Sequence, residues 1–140
     1  MCCLFGLMDP RHNLNGRQRA QLLQSLSIAC EARGTDATGI AYRSGGRLHI
    51  HKKPLPAHQF RFFLPDDLHT VMGHTRMATQ GSAGKTYNNH PFSGTVNGHT
   101  FALAHNGVLY NDKTLRLNLH LPSTKIETDS YVAVQLIERQ

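Results

Sequence analysis

A short apolar segment that begins at the second residue is the first constraint on the fold of this chain. Residues 2–8 are mostly apolar and are followed by the turn signal Asp9-Pro10, so the pattern predicts a first, buried strand. Chain termini normally fray at the surface. A strand that starts at the terminus itself is therefore unusual.

Turn signals divide the rest of the chain into short segments. A helical pattern follows Asn15-Gly16, with Gly34 at the expected C-cap, and Gly45-Gly46 suits a tight hairpin turn. The apolar face of the helix is predicted from Leu22, Leu26, Ala29 and Cys30. The other predicted elements are strands over 39–43, 47–53, 69–76 and 99–105, a short helix over 57–64, and a final helix from Thr128 or Asp129.

The predicted strands outnumber the helices, in the order strand, helix, hairpin, strands, helix. This order is typical of an α+β fold with a mainly antiparallel sheet, and it differs from alternating βαβ units. The final helical pattern still continues at Gln140, without a C-cap. We therefore expect residues 1–140 to form the N-terminal part of a domain whose C-terminal remainder is absent from this chain.

Composition is that of a soluble globular protein. The chain has 140 residues, of which 39% are hydrophobic, and its mean hydropathy is -0.38. No apolar segment approaches the roughly 20 residues of a membrane span, and the N-terminus lacks a signal-peptide pattern. The three cysteines are an odd number without a secretion signal, so we predict free thiols and a cytoplasmic location.

Charge and histidine content do not indicate a nucleic-acid or metal partner. The net charge is +6 and the sequence pI is about 9.6, but the Lys and Arg residues are dispersed. His49 and His51 share one face of a predicted strand, yet the sequence has neither Cys-x-x-Cys nor His-Glu-x-x-His spacing. We predict no metal, no cofactor, no nucleic acid and no membrane partner.

Cys2 becomes the terminal residue if Met1 is removed. It then carries a thiol and a free α-amine, whose reference pKa values are about 8.5 and about 7.7–8.0. Moving the proton from sulfur to nitrogen costs only about 1 kcal/mol. Because the amine can serve as the base, directly or through water, such a residue can act as a nucleophile without a separate histidine.

Five separated segments resemble, in their order and spacing, the class II glutamine amidotransferases, which use an N-terminal nucleophile (Ntn). The resemblance runs from Cys2 to about Glu138. The segments are Met1-Cys2-Cys3-Leu4-Phe5-Gly6, residues 33–41, residues 73–81, Leu103-Ala104-His105-Asn106-Gly107, and Glu127-Thr128-Asp129-Ser130.

The resemblance implies a fold and an activity. The fold would be an Ntn-hydrolase αββα sandwich, two antiparallel sheets between helix layers, incomplete in this chain. The activity would be hydrolysis of L-glutamine to glutamate and ammonia through a glutamyl thioester on Cys2. In the family, ammonia then passes to a synthase domain or subunit.

The resemblance also assigns roles to polar residues that suit them chemically. Asn106 and Gly107 would donate N–H groups to the oxyanion that forms during acyl transfer, although Asn-Gly is also an ordinary turn signal. Arg76 would bind the carboxylate of glutamine through bidentate hydrogen bonds. Asp129 would bind its ammonium, or would only be a charge at a helix N-terminus.

Further positions complete the predicted site or depart from the family pattern. Thr79 matches a position that contacts the substrate carboxylate, and Arg33 borders the active site in an ordering role or caps the preceding helix. Cys3, Met77 and Gln80 stand where the family usually has glycine, tryptophan and histidine. Gln80 can still donate a hydrogen bond to the substrate, while Cys3 should face away from Cys2 and pack.

Two other functions stay open on the sequence. The same nucleophile could act on a different amide, as other Ntn hydrolases do, or the chain could be an inactive binding or regulatory module of the same fold. Residues 88–91, Asn-Asn-His-Pro, resemble the family's loop before the next strand, and we interpret them as structural.

Overall fold

The computed structural model describes residues 2–140. Its strands and α-helices are, in chain order, β1 (Cys3–Met8), α1 (Gly16–Ala29), β2 (Ala37–Ser44), β3 (Arg47–Lys53), β4 (Thr70–Arg76), β5 (Phe92–Val96), β6 (His99–Leu103), α2 (Asp112–Asn118) and α3 (Tyr131–Ile137). Short 3-10 helices span Cys30–Arg33, Ala57–Gln59 and Thr86–Asn88. Within the described range, no helix combines the length and apolar character needed to cross a membrane.

Strand β4 lies in the interior of the larger sheet. The strand order is β1-β4-β2-β3 with every pair antiparallel, and β5 pairs with β6 in a second antiparallel sheet. Cys3 lies opposite Thr75, and Ala37 lies opposite Arg76. The start of β1, the start of β2 and the end of β4 therefore meet at one end of the larger sheet.

Helix α1 covers one face of the larger sheet. Its N-cap Asn15 forms a capping box with Gln18, which satisfies backbone N–H groups at the helix start. Leu23 of α1 packs in one core cluster with Ile40 of β2 and Val71 of β4, and each is at most 2% exposed. Burial of each such side chain contributes about 1.5–3 kcal/mol, so this cluster holds helix and sheet together.

The second sheet packs against the other face of the larger sheet, and α3 packs on its outer side. Lys52 of β3 donates a hydrogen bond to the carbonyl of Asn89, and Arg43 of β2 donates to the carbonyl of Thr100 in β6. Helix α3 contacts β5, where Val134 lies against Gly94. Two antiparallel sheets thus lie between helices, which confirms the predicted α+β class and αββα arrangement.

Two predictions about burial are wrong. Strand β1 is an edge strand whose residues alternate between half-buried and exposed, with Leu4 49% and Met8 75% exposed. Helix α1 is rotated by one position from the predicted face, because Leu23 is fully buried while Leu22 and Leu26 are exposed. The spacing of apolar residues alone could not show that the buried face of α1 also contains a charged residue, Arg19.

The buried charge on α1 explains that rotation. Arg19 is 1% exposed and donates from Nη2 to Oδ2 of Asp9 at 3.0 Å. Asp9 also accepts the N–H groups of Asn13 and Leu14, at 2.9 and 3.0 Å. Because a buried charge is tolerated only when it is paired and hydrogen-bonded, this contact fixes which side of α1 faces the sheet.

The segment before β4 and two later elements, β5 and α2, differ from the sequence prediction. Residues 57–64 contain only the 3-10 turn Ala57–Gln59, and the extended backbone beyond it directs Phe60 and Phe62 into the core. The sequence did not predict β5 or α2, because β5 contains a glycine and a serine and α2 is a single short helix of seven residues. The predicted hairpin, β4, β6 and α3 are confirmed to within a few residues.

Substitution of Gly39 tests how the two sheets are held together. A Cβ at Gly39 would lie 2.1 Å from the carbonyl oxygen of His90, so Gly39→Ala forces residues 90–91 away from β2. We expect the free energy of unfolding in urea to fall by about 1–3 kcal/mol. Gly84→Ala is the control, since its Cβ meets nothing closer than 3.5 Å. Equal unfolding free energies for the two variants would contradict this packing.

Candidate active site

Cys2 precedes β1 at the end of the sheet where β4 finishes. Its thiol donates to the carbonyl of Met77 at 3.5 Å, and its own carbonyl accepts a hydrogen bond from Nε of Arg33 at 3.1 Å. Cys2 is partly buried, so the thiol is neither enclosed in the core nor fully in solvent. The hydrogen bond from Arg33 holds the backbone of Cys2, the predicted nucleophile. This contact agrees with the ordering role predicted for Arg33.

Cys3 points away from this end of the sheet and toward α1. Its Sγ lies 2.8 Å from Sγ of Cys30, immediately after α1. Burial, followed by the hydrogen bond shared with Cys3 and the charge of Cys3, raises the pKa of Cys30 to about 12, which keeps Cys30 a neutral thiol at neutral pH. The two adjacent cysteines therefore occupy different environments, as strand alternation predicts.

Arg76, the last residue of β4, is buried among polar atoms of the protein. It is 2% exposed, and its Nη1 donates to Oδ1 of Asn89 at 2.6 Å. Its Nη2 donates to the carbonyls of Gln80 and Gly81 and to the hydroxyl of Thr128. The described hydrogen bonds use one Nη1 hydrogen and Nη2, so Nε and the second Nη1 hydrogen are the donors left for a ligand.

The electrostatics of Arg76 link it to the other predicted site residues. Burial lowers the pKa of Arg76, and the negative charges of Cys2, Asp36 and Asp129 oppose this shift. Asp36 also accepts the N–H of Ala78 at 2.8 Å, which holds the turn after β4. The guanidinium, the thiolate form of Cys2 and the Asp129 carboxylate are therefore close enough to interact.

The loop that carries Asn106 and Gly107 is fixed on both sides. Before it, the His105 ring bonds the Ser130 hydroxyl at 2.9 Å. After it, the N–H of Leu109 donates to Oδ2 of Asp129 at 2.5 Å. Both contacts lead to the segment that starts α3, so loop 106–108 is held against that segment.

Within this loop, Asn106 and Gly107 are exposed. A Cβ at Gly107 would lie 2.5 Å from Nε2 of His105, so only glycine fits with the ring in place. Among the described residues, no hydrogen bond occupies the Asn106 side chain. The side-chain N–H groups of Asn106 are thus free to meet a ligand.

Thr79 and Gln80 lie in the turn that follows β4. Thr79 is exposed, and within residues 2–140 its side chain makes no hydrogen bond. Gln80 is half-buried and reaches Arg76 through its backbone carbonyl rather than through its side chain. The structure thus brings Gln80, Arg76, Cys2 and Asp129 together, and it places Thr79 at the rim beside them.

A buried polar network around this site was not predicted from the sequence. Asn88 and Asn89 are fully buried, and the Asn88 side chain exchanges hydrogen bonds with Glu127, to Oε2 at 2.7 Å and from the N–H at 2.9 Å. The Thr128 hydroxyl donates to the Asn88 carbonyl at 2.7 Å. Segment 88–91, interpreted as structural, therefore ties the residues before α3 to the end of β4. In the sequence these two asparagines stand in a polar loop, a pattern that does not predict burial.

Two buried imidazoles lie beside this network. The His74 and His90 rings are 4.3 Å apart, and His74 Nε2 bonds the His105 carbonyl at 3.2 Å. Burial, opposed for His74 by that hydrogen bond, lowers the pKa of His74 to about 4, with further lowering by the positive charges of Arg76 and His105. Burial and the charges of His74, Arg76, Lys52 and His105 lower the pKa of His90 further still. Both rings are therefore neutral at pH 7.

Other features lie apart from this end of the sheet. A cavity of about 380 Å³ is lined by residues that include Thr70, Met72 and Ala102, toward the start of β4. None of the predicted site residues lines it. No group of three or more His, Cys, Asp or Glu side chains in the described part of the chain is arranged to hold a metal ion.

Comparison with known proteins decides the family. Residues 20–137 match the family described as glutamine amidotransferases class-II. This chain belongs to the class-II glutamine amidotransferases. The match includes Arg76 and Asp129, whose charges interact, and the Asn106-Gly107 loop, which Asp129 anchors through Leu109.

Similar sequences within the family are longer enzymes. Glutamine–fructose-6-phosphate aminotransferase (isomerizing) of Chlamydia muridarum is 34% identical over 140 residues, which cover 97% of this chain and 22% of that protein. The protein of the same name from Sulfurisphaera tokodaii is 32% identical over 143 residues, covering 99% of this chain and 23% of its own length. This amidotransferase chain thus spans less than a quarter of these relatives.

A solved structure shares the fold. Glutamine phosphoribosylpyrophosphate amidotransferase from B. subtilis superposes with a TM-score of 0.65 and 26% sequence identity. The match covers 98% of this chain and 28% of that protein. The likeness in structure therefore extends over nearly all of the chain, including both sheets.

The neutral histidine pair predicts a loss of stability in mild acid. His74 titrates near pH 6.5 when unfolded and near pH 4 when folded, so below pH 6.5 the unfolded state binds more protons. The contribution of neutral His74 to the free energy of unfolding is fully present above pH 6.5 and declines as the pH falls toward 4. We expect the unfolding free energy to drop between pH 7 and pH 5 by about 2 kcal/mol for this histidine.

Urea unfolding at several pH values measures this effect. His74→Gln does not titrate and should show a shallower decline than the unsubstituted chain. His99→Gln, at an exposed position in β6, is the control and should keep the original slope. If His74→Gln loses stability as steeply as the control, His74 is not the cause of the decline.

Proposed function

We propose that this chain hydrolyses the side-chain amide of L-glutamine, with Cys2 as the nucleophile after removal of Met1. The observation that carries the proposal is the convergence of three groups at one end of the larger sheet. These are the Cys2 thiol, the buried cation of Arg76, and the Asp129 carboxylate that also anchors the Asn106 loop. Family membership supports the same reaction class.

The chemistry needs only groups that the site holds. The Cys2 thiol gives its proton to the α-amine, and the thiolate attacks the side-chain carbonyl carbon of glutamine. The oxyanion accepts hydrogen bonds from the Asn106 side chain and the Gly107 N–H, each such donor being worth about 3–4 kcal/mol. The C–N bond breaks, the amine returns the proton to the leaving nitrogen, and ammonia departs. Water then cleaves the thioester and releases glutamate.

Charge complementarity supports an amino acid as the substrate. Arg76 would bind the α-carboxylate through a guanidinium N–H that the described hydrogen bonds do not use, and Asp129 would bind the α-ammonium through the oxygen that does not accept from Leu109. Thr79 and Gln80 would add hydrogen bonds at the rim. A neutral acyl or lactam substrate would bring no opposite charge to either buried group, which is costly.

The destination of the ammonia is a further proposal. The relatives are named as aminotransferases that use fructose 6-phosphate, and this chain corresponds to less than a quarter of their length. We infer that ammonia released at Cys2 passes to an acceptor bound by a synthase domain or a partner subunit, in the cytoplasm.

Paired cysteine variants test the nucleophile. Ammonia release from L-glutamine should fall at least about a thousandfold in Cys2→Ala, because no other thiol combines with a free α-amine. Cys3→Ala is the matched control and should retain activity, since Cys3 faces α1. Intact mass should show that the active protein lacks Met1.

The outcomes separate the proposal from its alternatives. Comparable turnover by Cys2→Ala and the unsubstituted chain, or activity with Met1 retained, would refute the nucleophile. Ammonia release from asparagine or other amides but not from glutamine would favour an Ntn hydrolase of different specificity. Glutamine binding without any turnover would favour a binding or regulatory module.

A further inference from the structure

Within residues 2–140, no carboxylate forms an ion pair in contact with the buried guanidinium of Arg76. The ion pairs described within residues 2–140 are Arg19–Asp9, His58–Glu31 and Lys85–Glu127. The groups in contact with Arg76 are instead an amide oxygen, two carbonyls and a hydroxyl. Because a buried charge is normally paired, these neutral acceptors leave its positive charge available for an anionic ligand.

Asn89 is the side chain that holds Nη1 of Arg76. It is fully buried, and its Oδ1 accepts from Arg76 at 2.6 Å while its Nδ2 donates to the carbonyl of Ala83 at 2.7 Å. These two bonds fix the orientation of the amide, since a flip would bring two donors, Nδ2 and Nη1, face to face. The oxygen therefore points at the guanidinium.

The backbone of Asn89 is held as firmly as its side chain. Nζ of Lys52 donates to the Asn89 carbonyl at 2.6 Å and to the Pro91 carbonyl at 2.9 Å. Lys52 belongs to β3, so the larger sheet anchors the loop that orients Arg76. Asn89 thus links Lys52 of β3 to Nη1 of Arg76.

We propose that Asn89 is a positioning residue that orients Arg76 for the α-carboxylate of glutamine while leaving the charge of Arg76 unneutralised. This inference rests on the proposed function of the site. An aspartate at the same place would keep an acceptor for Arg76, but it would lose the bond to Ala83, and its carboxylate would compete with that of the substrate. The amide is therefore the chemically relevant part of the side chain.

Binding to an inactivated chain tests this separately from catalysis. The probes are L-glutamine and L-glutamine α-amide, which lacks only the carboxylate, titrated calorimetrically into Cys2→Ala with and without Asn89→Asp. Asn89→Asp should weaken glutamine binding at least about tenfold and change binding of the α-amide less than about threefold. Asn89→Ala, which adds no competing charge, should weaken glutamine binding less than Asn89→Asp does.

The controls distinguish positioning from loss of structure. Asn97→Asp adds the same charge at the β5–β6 turn and should bind both probes as Cys2→Ala alone does. Equal weakening of both probes by Asn89→Asp would show a merely structural role and would overturn the proposal, as would unchanged glutamine binding. If glutamine binds Cys2→Ala with this selectivity but the unsubstituted chain releases no ammonia, the hydrolysis proposal fails while the role of Asn89 stands.

Discussion

Antiparallel pairing of β4 with both β1 and β2 is the constraint on which the rest of the site depends. With Cys3 opposite Thr75 and Ala37 opposite Arg76, the chain terminus, the turn after α1 and the end of β4 must meet. A slip of one residue in this register would turn Arg76 toward α1 and remove it from the loops that hold it. The position of the predicted nucleophile therefore follows from the hydrogen bonding of the sheet.

The loops that lead into and follow the second sheet supply hydrogen-bond partners that the larger sheet alone could not. Burying a guanidinium, two imidazoles and two asparagine amides is costly unless their polar atoms find partners, and most of these partners come from segments between β4 and α3. The two histidines remain neutral and keep several ring nitrogens without a hydrogen bond among the described residues. The result is a guanidinium whose hydrogen-bond acceptors are neutral groups, which suits a carboxylate as its ligand.

The sequence predicted the parts of the structure that local rules control. The Gly45-Gly46 hairpin is present with φ values of 55° and 74°, and the family motifs led to the αββα fold and to Arg76, whose charge interacts with Cys2 and Asp129. The face of α1 was misplaced because the Arg19–Asp9 ion pair outweighs the apolar pattern. The role proposed for Asn89 was not predicted, because it depends on a contact with Arg76, 13 residues away in the sequence. Residue spacing does not reveal such a contact.

The most direct test of the mechanism is to trap the acyl group that glutamine leaves on the protein. The chain is mixed with L-glutamine, quenched in acid within the first turnovers, and digested for peptide mass mapping. We expect one glutamyl group on the sulfur of Cys2, in a peptide that begins with Cys2 and has no Met1. A glutamyl group on Cys3 or Cys30, or ammonia release with no acylated peptide at any quench time, would contradict it.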